Sequence, residues 1–210
     1  AWGASRFTLF YDRARVGPNP PRDPAALLAW ARANPGRFTY PQPPNFLGTS
    51  FLKQVLFLLV RDRSAFAAPP SPSGGDAAIR PLMDWLRALA PHQWRKGKAF
   101  PPNGPAQRQL LGLGEIDWAM SFNPNEAESA MARGELPAGI AGLRFSGGAL
   151  ANCHFLAIPA SASAREGAMV AANFLLSPRA QARKADIAYW GDPSVLRMDR
   201  LSAQDRALFA

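Results

Sequence analysis

Two short polar segments contain the residues best suited to hold a small solute. Residues 45–50 (NFLGTS) precede a helix-forming run, and residues 121–125 (SFNPN) lie between a β-forming run and a helix start. Glycine allows close backbone approach, while the free amides and dipole of a helix start attract polar or anionic groups. We therefore predict that both segments line one binding cleft. Plain helix capping and Asx turns remain the alternative for each segment alone.

Aromatic side chains lie near these segments and near the ends of predicted strands. They are Tyr11, Tyr40, Phe46, Phe122 and Trp190. An aromatic face can stack on a ring or attract a cation. Core packing is the alternative role for each of them. Together with the polar segments, they favour a site that binds a solute without transforming it.

An enzyme is the first alternative. Asp12 and His154 would form an acid–base pair if their strands were neighbours, as in a hydrolase. Cys153 and His154 are adjacent in a predicted strand, so their side chains point to opposite faces and do not form a Cys–His pair. The chain has no G-x-S-x-G, P-loop or H-E-x-x-H pattern, one cysteine and two histidines. We expect no catalytic residue, metal or cofactor.

Nucleic-acid binding is the second alternative, because the formal charge is +9. The basic residues are scattered along the chain, and the densest cluster, residues 95–98 (RKGK), is short. Recognition of nucleic acid requires basic side chains gathered on one face. We therefore expect no nucleic-acid partner. The chain also has no apolar run of the ~18 residues that a membrane span needs.

Predicted strands and helices alternate along the chain. β-forming runs fall at residues 6–12, 37–40, 116–120, 143–145 and 154–158, and helical patterns at 24–33, 51–61, 76–89, 105–113, 126–133, 166–176 and 178–184, with a Pro/Ser/Gly loop at 67–75. Asp23 followed by Pro24 marks the first helix start. Such alternation predicts an α/β fold with a mainly parallel sheet, whose ligands lie beyond the carboxyl ends of the strands.

Longer stretches of the sequence resemble periplasmic solute-binding proteins of ABC importers. The matching runs are residues 10–16, 24–31 (PAALLAWA), 35–41 (PGRFTYP), 45–52 (NFLGTSFL), 114–117 (GEID), 120–126 (MSFNPNE), 168–178 (AMVAANFLLSP) and 189–193 (YWGDP). The chain is most similar to an uncharacterised, thiamine-like branch, over about residues 7–200. The resemblance implies the type II periplasmic-binding fold, with a mainly parallel sheet and helices on both faces.

The resemblance also implies how the chain divides and what it does. Residues 13–147 would form the second, ligand-binding lobe, and residues 1–12 and 148–210 the hinge and a remnant of the first lobe. Most of the first lobe and a signal peptide would be absent before Ala1. The protein would bind a thiamine-like, cationic or phosphorylated solute between its lobes in the periplasm. It would deliver that solute to an ABC permease in the inner membrane.

Each candidate ligand-binding residue has an expected role. Tyr11 and Asp12 would line the hinge, Tyr40 and Phe46 would stack, and Trp190 would close from the other lobe. Thr49 and Ser50 would offer backbone amides, and Ser121 and Asn123 would donate hydrogen bonds. The full predicted set is Tyr11, Asp12, Tyr40, Asn45, Phe46, Gly48, Thr49, Ser50, Ser121, Phe122, Asn123 and Trp190. The missing first-lobe strands would leave an apolar face and a sheet edge near residues 148–186 uncovered, which predicts self-association with another copy, a strand exchange or local disorder there.

Overall fold

The computed structural model describes residues 1–60, 62–67 and 74–210, and its described strands form two small sheets. In the first sheet, β1 (Gly3–Arg6) pairs with β5 (Ala151–His154). In the second, β2 (Thr8–Asp12) lies between β3 (Trp118–Ser121) and β4 (Ile140–Leu143). β1 and β2 are separated only by Phe7, so one nearly continuous strand joins the two sheets.

The prediction of a mainly parallel sheet is wrong for the described strands. β2 is antiparallel to both of its neighbours, and β1 is antiparallel to β5. β3 and β4 therefore run in the same direction as each other, linked by a helix, as the alternation predicted. The central strand β2 is inserted between them in the opposite direction. The α/β fold class itself is confirmed.

The described residues form nine α-helices. They are α1 (Arg13–Val16), α2 (Pro24–Ala33), α3 (Phe46–Leu59), α4 (Gly74–Leu89), α5 (Gly104–Gly112), α6 (Glu126–Ala132), α7 (Arg165–Leu175), α8 (Pro178–Ala185) and α9 (Ala203–Ala207). Short 3₁₀ turns lie at Ser64–Phe66, Ala90–His92, Trp94–Gly97 and Met198–Arg200. Asp23 caps α2 through the Ala26 amide at 2.8 Å, as its sequence predicted. Most of the predicted loop at 67–75, residues 68–73, lies outside the described residues.

Some predicted boundaries are wrong. Residues 37–40 form no strand; the Arg37 carbonyl accepts from the Asp117 amide at 2.8 Å instead of joining a ladder. The strands predicted at 143–145 and 154–158 end earlier, as β4 and β5. α3 begins at Phe46 rather than at residue 51, because the Asn45 side chain caps it through the Leu47 amide at 3.0 Å.

The core has two apolar clusters, one on each face of β2. Leu9 and Tyr11 point into the first, which α2, α3 and α4 cover, and Phe10 points into the second, covered by α5 and α6. This alternation follows from the twofold period of a strand, and burial on both faces explains why the middle of β2, residues 9–11, is apolar on both faces. Fully burying one such side chain contributes roughly 1.5–3 kcal/mol. The prediction of helices on both faces is confirmed.

The core ends at Phe145. Every buried apolar side chain of the described residues lies between Phe7 and Phe145. Beyond that point, large apolar side chains of the β5 extension and of α7 are exposed. They are Phe155, Leu156, Ile158, Met169, Val170, Phe174 and Leu176. The part of the chain after Phe145 therefore supplies an apolar face without a core of its own.

Candidate functional site

The 121–125 loop is built by its own polar side chains. β3 ends at Ser121, whose Oγ accepts a hydrogen bond from the Asn123 amide at 3.0 Å. The Asn123 Oδ1 then accepts from the Asn125 amide at 3.0 Å. Two successive turns of this kind fix the backbone between a strand end and a helix start. The Phe122 carbonyl accepts from the Arg6 amide at 3.1 Å, so the loop lies where β1 passes into β2.

Residues 187–191, here the C-terminal segment, lie against this loop. The Asn123 Nδ2 donates to the Trp190 carbonyl at 2.9 Å, and the Asn125 Nδ2 donates to the Gly191 carbonyl at 2.8 Å. The Ser129 Oγ donates to the carbonyl of residue 187 at 3.0 Å. The structure thus brings Asn123 and Trp190 together. The sequence predicted no role for Asn125 or Ser129, although Asn125 lies in the 121–125 segment that was singled out there.

The start of α3 contacts the same loop. The ring of Phe46 lies 5.0 Å from that of Phe122, and Phe122 in turn packs edge-on against Phe7 at 5.5 Å. Phe46 is 58% exposed, so this aromatic pair faces solvent directly beside the polar loop. The two segments singled out in the sequence therefore converge, and they do so through aromatic rings.

Four residues of the 45–50 segment have structural roles. Thr49 and Ser50 lie inside α3 rather than in a loop, and the Thr49 amide is already bonded to the Asn45 carbonyl at 2.9 Å. Ser50 is buried. A Cβ on Gly48 would come within 1.8 Å of the Pro41 carbonyl oxygen, so glycine is required there for packing. The prediction that Thr49 and Ser50 offer free amides is wrong, because the helix starts earlier than expected.

Two predicted stacking residues belong to the core. Tyr40 is buried against Phe51 and Phe100, at ring distances of 5.1 and 5.2 Å. Burial raises the pKa of the Tyr40 hydroxyl, and the neighbouring Gln93 side chain opposes that rise. Tyr11 is also buried and stacks on a core tryptophan at 5.1 Å. Core packing thus accounts for both tyrosines.

Asp12 lies at the other end of the sheet. Thr8 pairs with Ser121, whereas Asp12 pairs with Ile140, so about 13 Å of strand separates Asp12 from the 121–125 loop, at ~3.3 Å per residue. The Asp12 carboxylate caps α1 through the Ala14 amide at 2.8 Å. The expectation that it shares a cleft with Ser121 depended on a parallel sheet, and the antiparallel β2 overturns it.

The acid–base pair of Asp12 and His154 is not formed. His154 pairs with Gly3 in the first sheet, and about 30 Å of nearly extended chain leads from Gly3 to Asp12. The His154 ring faces Trp2, with ring centroids 6.2 Å apart. Proton transfer between two side chains requires that they lie within hydrogen-bond distance. Asp12 and His154 therefore do not form the acid–base pair that the hydrolase alternative needs.

A buried ion pair anchors the C-terminal segment. Lys184 and Asp192 are both buried, and the Lys184 Nζ donates to the Asp192 carboxylate at 2.8 Å and to the Pro193 carbonyl at 2.7 Å. The Lys184 Nζ also lies 5.5 Å from the centre of the Trp2 ring, which contacts Trp190 at 5.6 Å. A buried charge is tolerated when it is paired and hydrogen-bonded in this way. The segment that carries Trp190 is thereby held in one position.

A cavity of about 1060 Å³ opens beside this ion pair. It is lined by α8, by the C-terminal residues 208–210 and by the aromatic residues Trp2, Tyr189 and Trp190. Its walls include Phe174 of the exposed apolar face, so the cavity and that face are continuous. Among the described residues, no group of three or more His, Cys, Asp or Glu side chains is placed to hold a metal ion. No described helix is long and apolar enough to cross a membrane.

Comparison with known proteins gives concordant matches. Residues 1–199 match the model of a family described as bacterial extracellular solute-binding protein. Protein YnjB of Escherichia coli (strain K12) is 46% identical over 200 residues, covering 95% of this chain and 51% of its own length. The chain therefore spans about half the length of this curated relative.

Solved structures share the fold. An ABC transporter from Clostridium perfringens ATCC 13124 superposes with a TM-score of 0.60 at 15% identity, covering 100% of this chain and 58% of the other. A periplasmic thiamin binding protein superposes with a TM-score of 0.59 at 19% identity, covering 96% and 56% respectively. At such low identity, these likenesses are evidence for the fold alone.

Proposed function

The chain belongs to the bacterial extracellular solute-binding proteins, and on that premise we propose that it binds a small solute for an ABC importer. It would work in the periplasm and release the solute to a permease in the inner membrane. This role requires only that the solute is bound reversibly. Asp12 and His154, the pair that the enzyme alternative required, lie in different sheets. The observation that supports a site on this chain is the contact of Phe46 with Phe122 beside the amide of Asn123.

We place the solute against this aromatic pair. The exposed Phe46 ring would stack on the solute, with Phe122 behind it. Asn123 would donate a hydrogen bond once its side chain leaves the Trp190 carbonyl, and Trp190 would cover the other side. Ser121 orients the loop through the Asn123 amide rather than touching the solute. Tyr11, Asp12, Tyr40, Thr49 and Ser50 stay outside this proposed site.

The solute we propose is thiamine-like, cationic or phosphorylated, with an aromatic ring. Phe46 and Phe122 form an aromatic surface at the proposed site, and an aromatic face attracts a cationic ring by about 0.5–2 kcal/mol. One structure of the same fold is a periplasmic thiamin binding protein. A phosphate on the solute would find cationic side chains nearby, since Arg6 leads into this end of the sheet and is exposed.

We also propose that the chain comprises one complete lobe and part of another. Residues 13–147 would be the ligand-binding lobe, and residues 1–12 and 148–210 the hinge and part of the first lobe. The boundary near residue 147 is supported by the core, which ends at Phe145, and by the exposed apolar side chains that follow it; at the other boundary, β2 lies inside that core, between its two apolar clusters. The solute would then be enclosed only when the remaining length of the relatives is present.

Thermal-shift and calorimetric titration would test the proposal. Thiamine and its phosphates would be added to this chain and to a version extended to the length of the curated relative. A ligand that binds the folded state raises the melting temperature in proportion to ln(1 + [L]/Kd). We expect a larger rise for the extended protein, because both walls of the cleft are then present.

The matched variants are Phe46→Ala and Leu113→Ala. Both side chains are exposed, at 58% and 67%, so neither change should unfold the protein. Phe46→Ala should weaken binding about tenfold by removing the stacking surface, whereas Leu113→Ala, at the other end of the sheet, should not. Equal binding by both variants would reject the site, and no shift with any of these compounds would reject the solute class.

A further inference from the structure

The end of the second sheet opposite the proposed site carries a basic surface that the solute-binding role does not use. This surface, the basic tip, consists of Arg13 and Arg15 of α1, the residues Trp94, Arg95, Lys96 and Lys98, and Leu113. Its parts are in contact. The Arg15 Nη1 donates to the Gly114 carbonyl at 2.8 Å, and the Trp94 Nε1 donates to the Glu115 carboxylate at 3.1 Å. Three separate segments thus meet at one place.

The backbone of the basic tip is unusual. Arg95 and Lys96 have φ of 50° and 57°, and Gly97 follows with φ of 67°. Three consecutive left-handed residues, two of them with side chains, are disfavoured by contact between Cβ and the backbone. The turn is held by the Trp94 amide, which donates to the Phe38 carbonyl at 2.8 Å. Its effect is to expose the side chains of Arg95 and Lys96 to solvent together.

The charge balance of the basic tip is positive. With the adjoining Arg37, it holds six cationic side chains, against the three neighbouring carboxylates of Asp12, Glu115 and Asp117. Those carboxylates are engaged within the fold. Asp117 is buried between Arg37 and Arg15, at 2.9 Å from the Arg37 Nε and 3.3 Å from the Arg15 Nη1. The side chains of residues 95, 96 and 98 are exposed to solvent, and none of the three forms a salt bridge with a carboxylate among the described residues.

An apolar side chain stands among these cations. Leu113 is 67% exposed, directly before the glycine whose carbonyl binds Arg15 and Arg37. The half-buried Trp94 belongs to the same surface through its bond to Glu115, and the Arg95 guanidinium lies 4.4 Å from its ring centre. An exposed leucine and a partly exposed tryptophan next to lysine and arginine are the composition of surfaces that lie on anionic membranes.

We propose that the basic tip docks on an anionic phospholipid surface. The cations would attract the headgroups, and Leu113 with the edge of Trp94 would enter the boundary between headgroups and acyl chains. A purely acidic protein partner would satisfy the charges but would not explain the exposed leucine. Since the basic tip lies at the far end of the sheet from Phe46, the docked protein keeps its solute site free.

Co-sedimentation with vesicles tests this proposal without any solute. The chain would be mixed with phosphatidylcholine vesicles, with or without phosphatidylglycerol, at low and at high salt. We expect binding only to the vesicles that contain phosphatidylglycerol, and release as salt rises, because exposed charges are screened. The triple variant Arg95→Asn, Lys96→Asn and Lys98→Gln should partition on the order of a hundredfold more weakly. Asparagine tolerates left-handed φ, so this variant should stay folded.

Two controls separate the basic tip from net charge. Arg165→Gln, Arg200→Gln and Arg206→Gln together remove the same charge from exposed positions in the second half of the chain, and they should leave vesicle binding within about threefold. Leu113→Ser should weaken binding, whereas Leu208→Ser, at another exposed leucine, should not. Absence of binding to both kinds of vesicle would overturn the proposal. Equally tight, salt-sensitive binding to a DNA duplex through the same three residues would overturn the lipid assignment.

Discussion

Lys96 shows how a single residue can retain a disfavoured backbone conformation. Its φ of 57° places Cβ against its own backbone, which costs about 1–2 kcal/mol for a residue with a side chain. Gly97, the next residue, has the same kind of φ without that cost, and a Cβ there would lie 2.9 Å from the Ala90 carbonyl oxygen. The sequence offers glycine at one of three left-handed positions only. The turn is therefore maintained by its surroundings rather than by local preference.

Replacing Lys96 by glycine should stabilise the protein. The relieved strain of ~1–2 kcal/mol exceeds the added backbone entropy of the unfolded chain, ~0.5–1 kcal/mol, so we expect a net gain of about 0.5–1 kcal/mol. The matched control is Lys98→Gly, because Lys98 has φ of −89° and gains nothing from glycine. Urea unfolding followed by circular dichroism measures both. A lower midpoint for Lys96→Gly than for the parent chain would contradict the prediction.

Asp117 carries a buried negative charge that joins two distant arginines. It is buried, and its carboxylate is bound by the guanidinium groups of Arg37 and Arg15. The hydrogen bond to Asp117 raises the pKa of the Arg37 guanidinium above its ordinary value. Sequence inspection gave no role to Asp117, because an acidic residue at a strand start has no local pattern that identifies its distant partners.

Asp117→Asn should destabilise the protein by about 2 kcal/mol, because it removes charge-assisted hydrogen bonds at a buried carboxylate, while water partly screens the arginines that remain, which are 43% and 30% exposed. Asp84→Asn breaks an ion pair with Arg87 in which both side chains are largely exposed, and it should change stability by less than about 1 kcal/mol. Chemical unfolding of both variants gives the comparison. Similar losses in the two variants would show that burial of Asp117 does not matter.

At the scale of elements, the sequence predicted helices well and strand direction badly. Asp23 with Pro24 fixed the start of α2, since a side-chain cap and a rigid φ act within a few residues. Strand β2 is apolar on both faces, which indicates a central strand but is equally compatible with either direction. The direction of β2 depends on how this early segment of the chain is inserted between β3 and β4, which lie more than 100 residues later in the sequence. No local sequence pattern contains that information. The mistaken position of Asp12 followed from this one point.

The start of α3 was misplaced for a different reason. Asn45, Thr49 and Ser50 are all good N-cap residues, so three starts were compatible with local preference. Packing decides between them, because Gly48 fits against the Pro41 carbonyl only if the first turn begins before it. The convergence of α3 with the 121–125 loop was nevertheless predicted, since both stand at helix starts.

The contact between α6 and the C-terminal segment should depend on Asn125. Asn125→Ala removes the hydrogen bond to the Gly191 carbonyl, a net loss of about 1 kcal/mol. Hydrogen exchange of the amides of residues 186–192 should then quicken about fivefold, because this loss lowers the local opening energy. Asn19→Ala changes an exposed loop asparagine and should leave that exchange unchanged. Unaltered exchange in Asn125→Ala would show that the segment is held by its other contacts, those of Asn123, Ser129 and the Lys184–Asp192 pair.

For the whole molecule, the two halves of the chain differ in how they bury apolar surface. Residues up to Phe145 enclose a core on both faces of β2, whereas the side chains of α7 have no partner layer. The division at about residue 147 was predicted through family resemblance, not through composition. The curated relative is about twice as long as this chain, which is consistent with a second body that covers α7.

The exposed face of α7 should make this chain self-associate. Val170 and Phe174 are 70% and 60% exposed, and an apolar surface of that kind is costly to leave in water. We expect the average mass in sedimentation velocity to rise with concentration, and the double variant Val170→Ser with Phe174→Ser to remain monomeric. Serines at Ile79 and Met83 of α4 remove the same number of exposed apolar side chains elsewhere, so that control should still associate. If the added length covers α7, as we propose, a version extended to the relative's length should be monomeric. A parent chain that stays monomeric at every concentration would contradict this account of its apolar face.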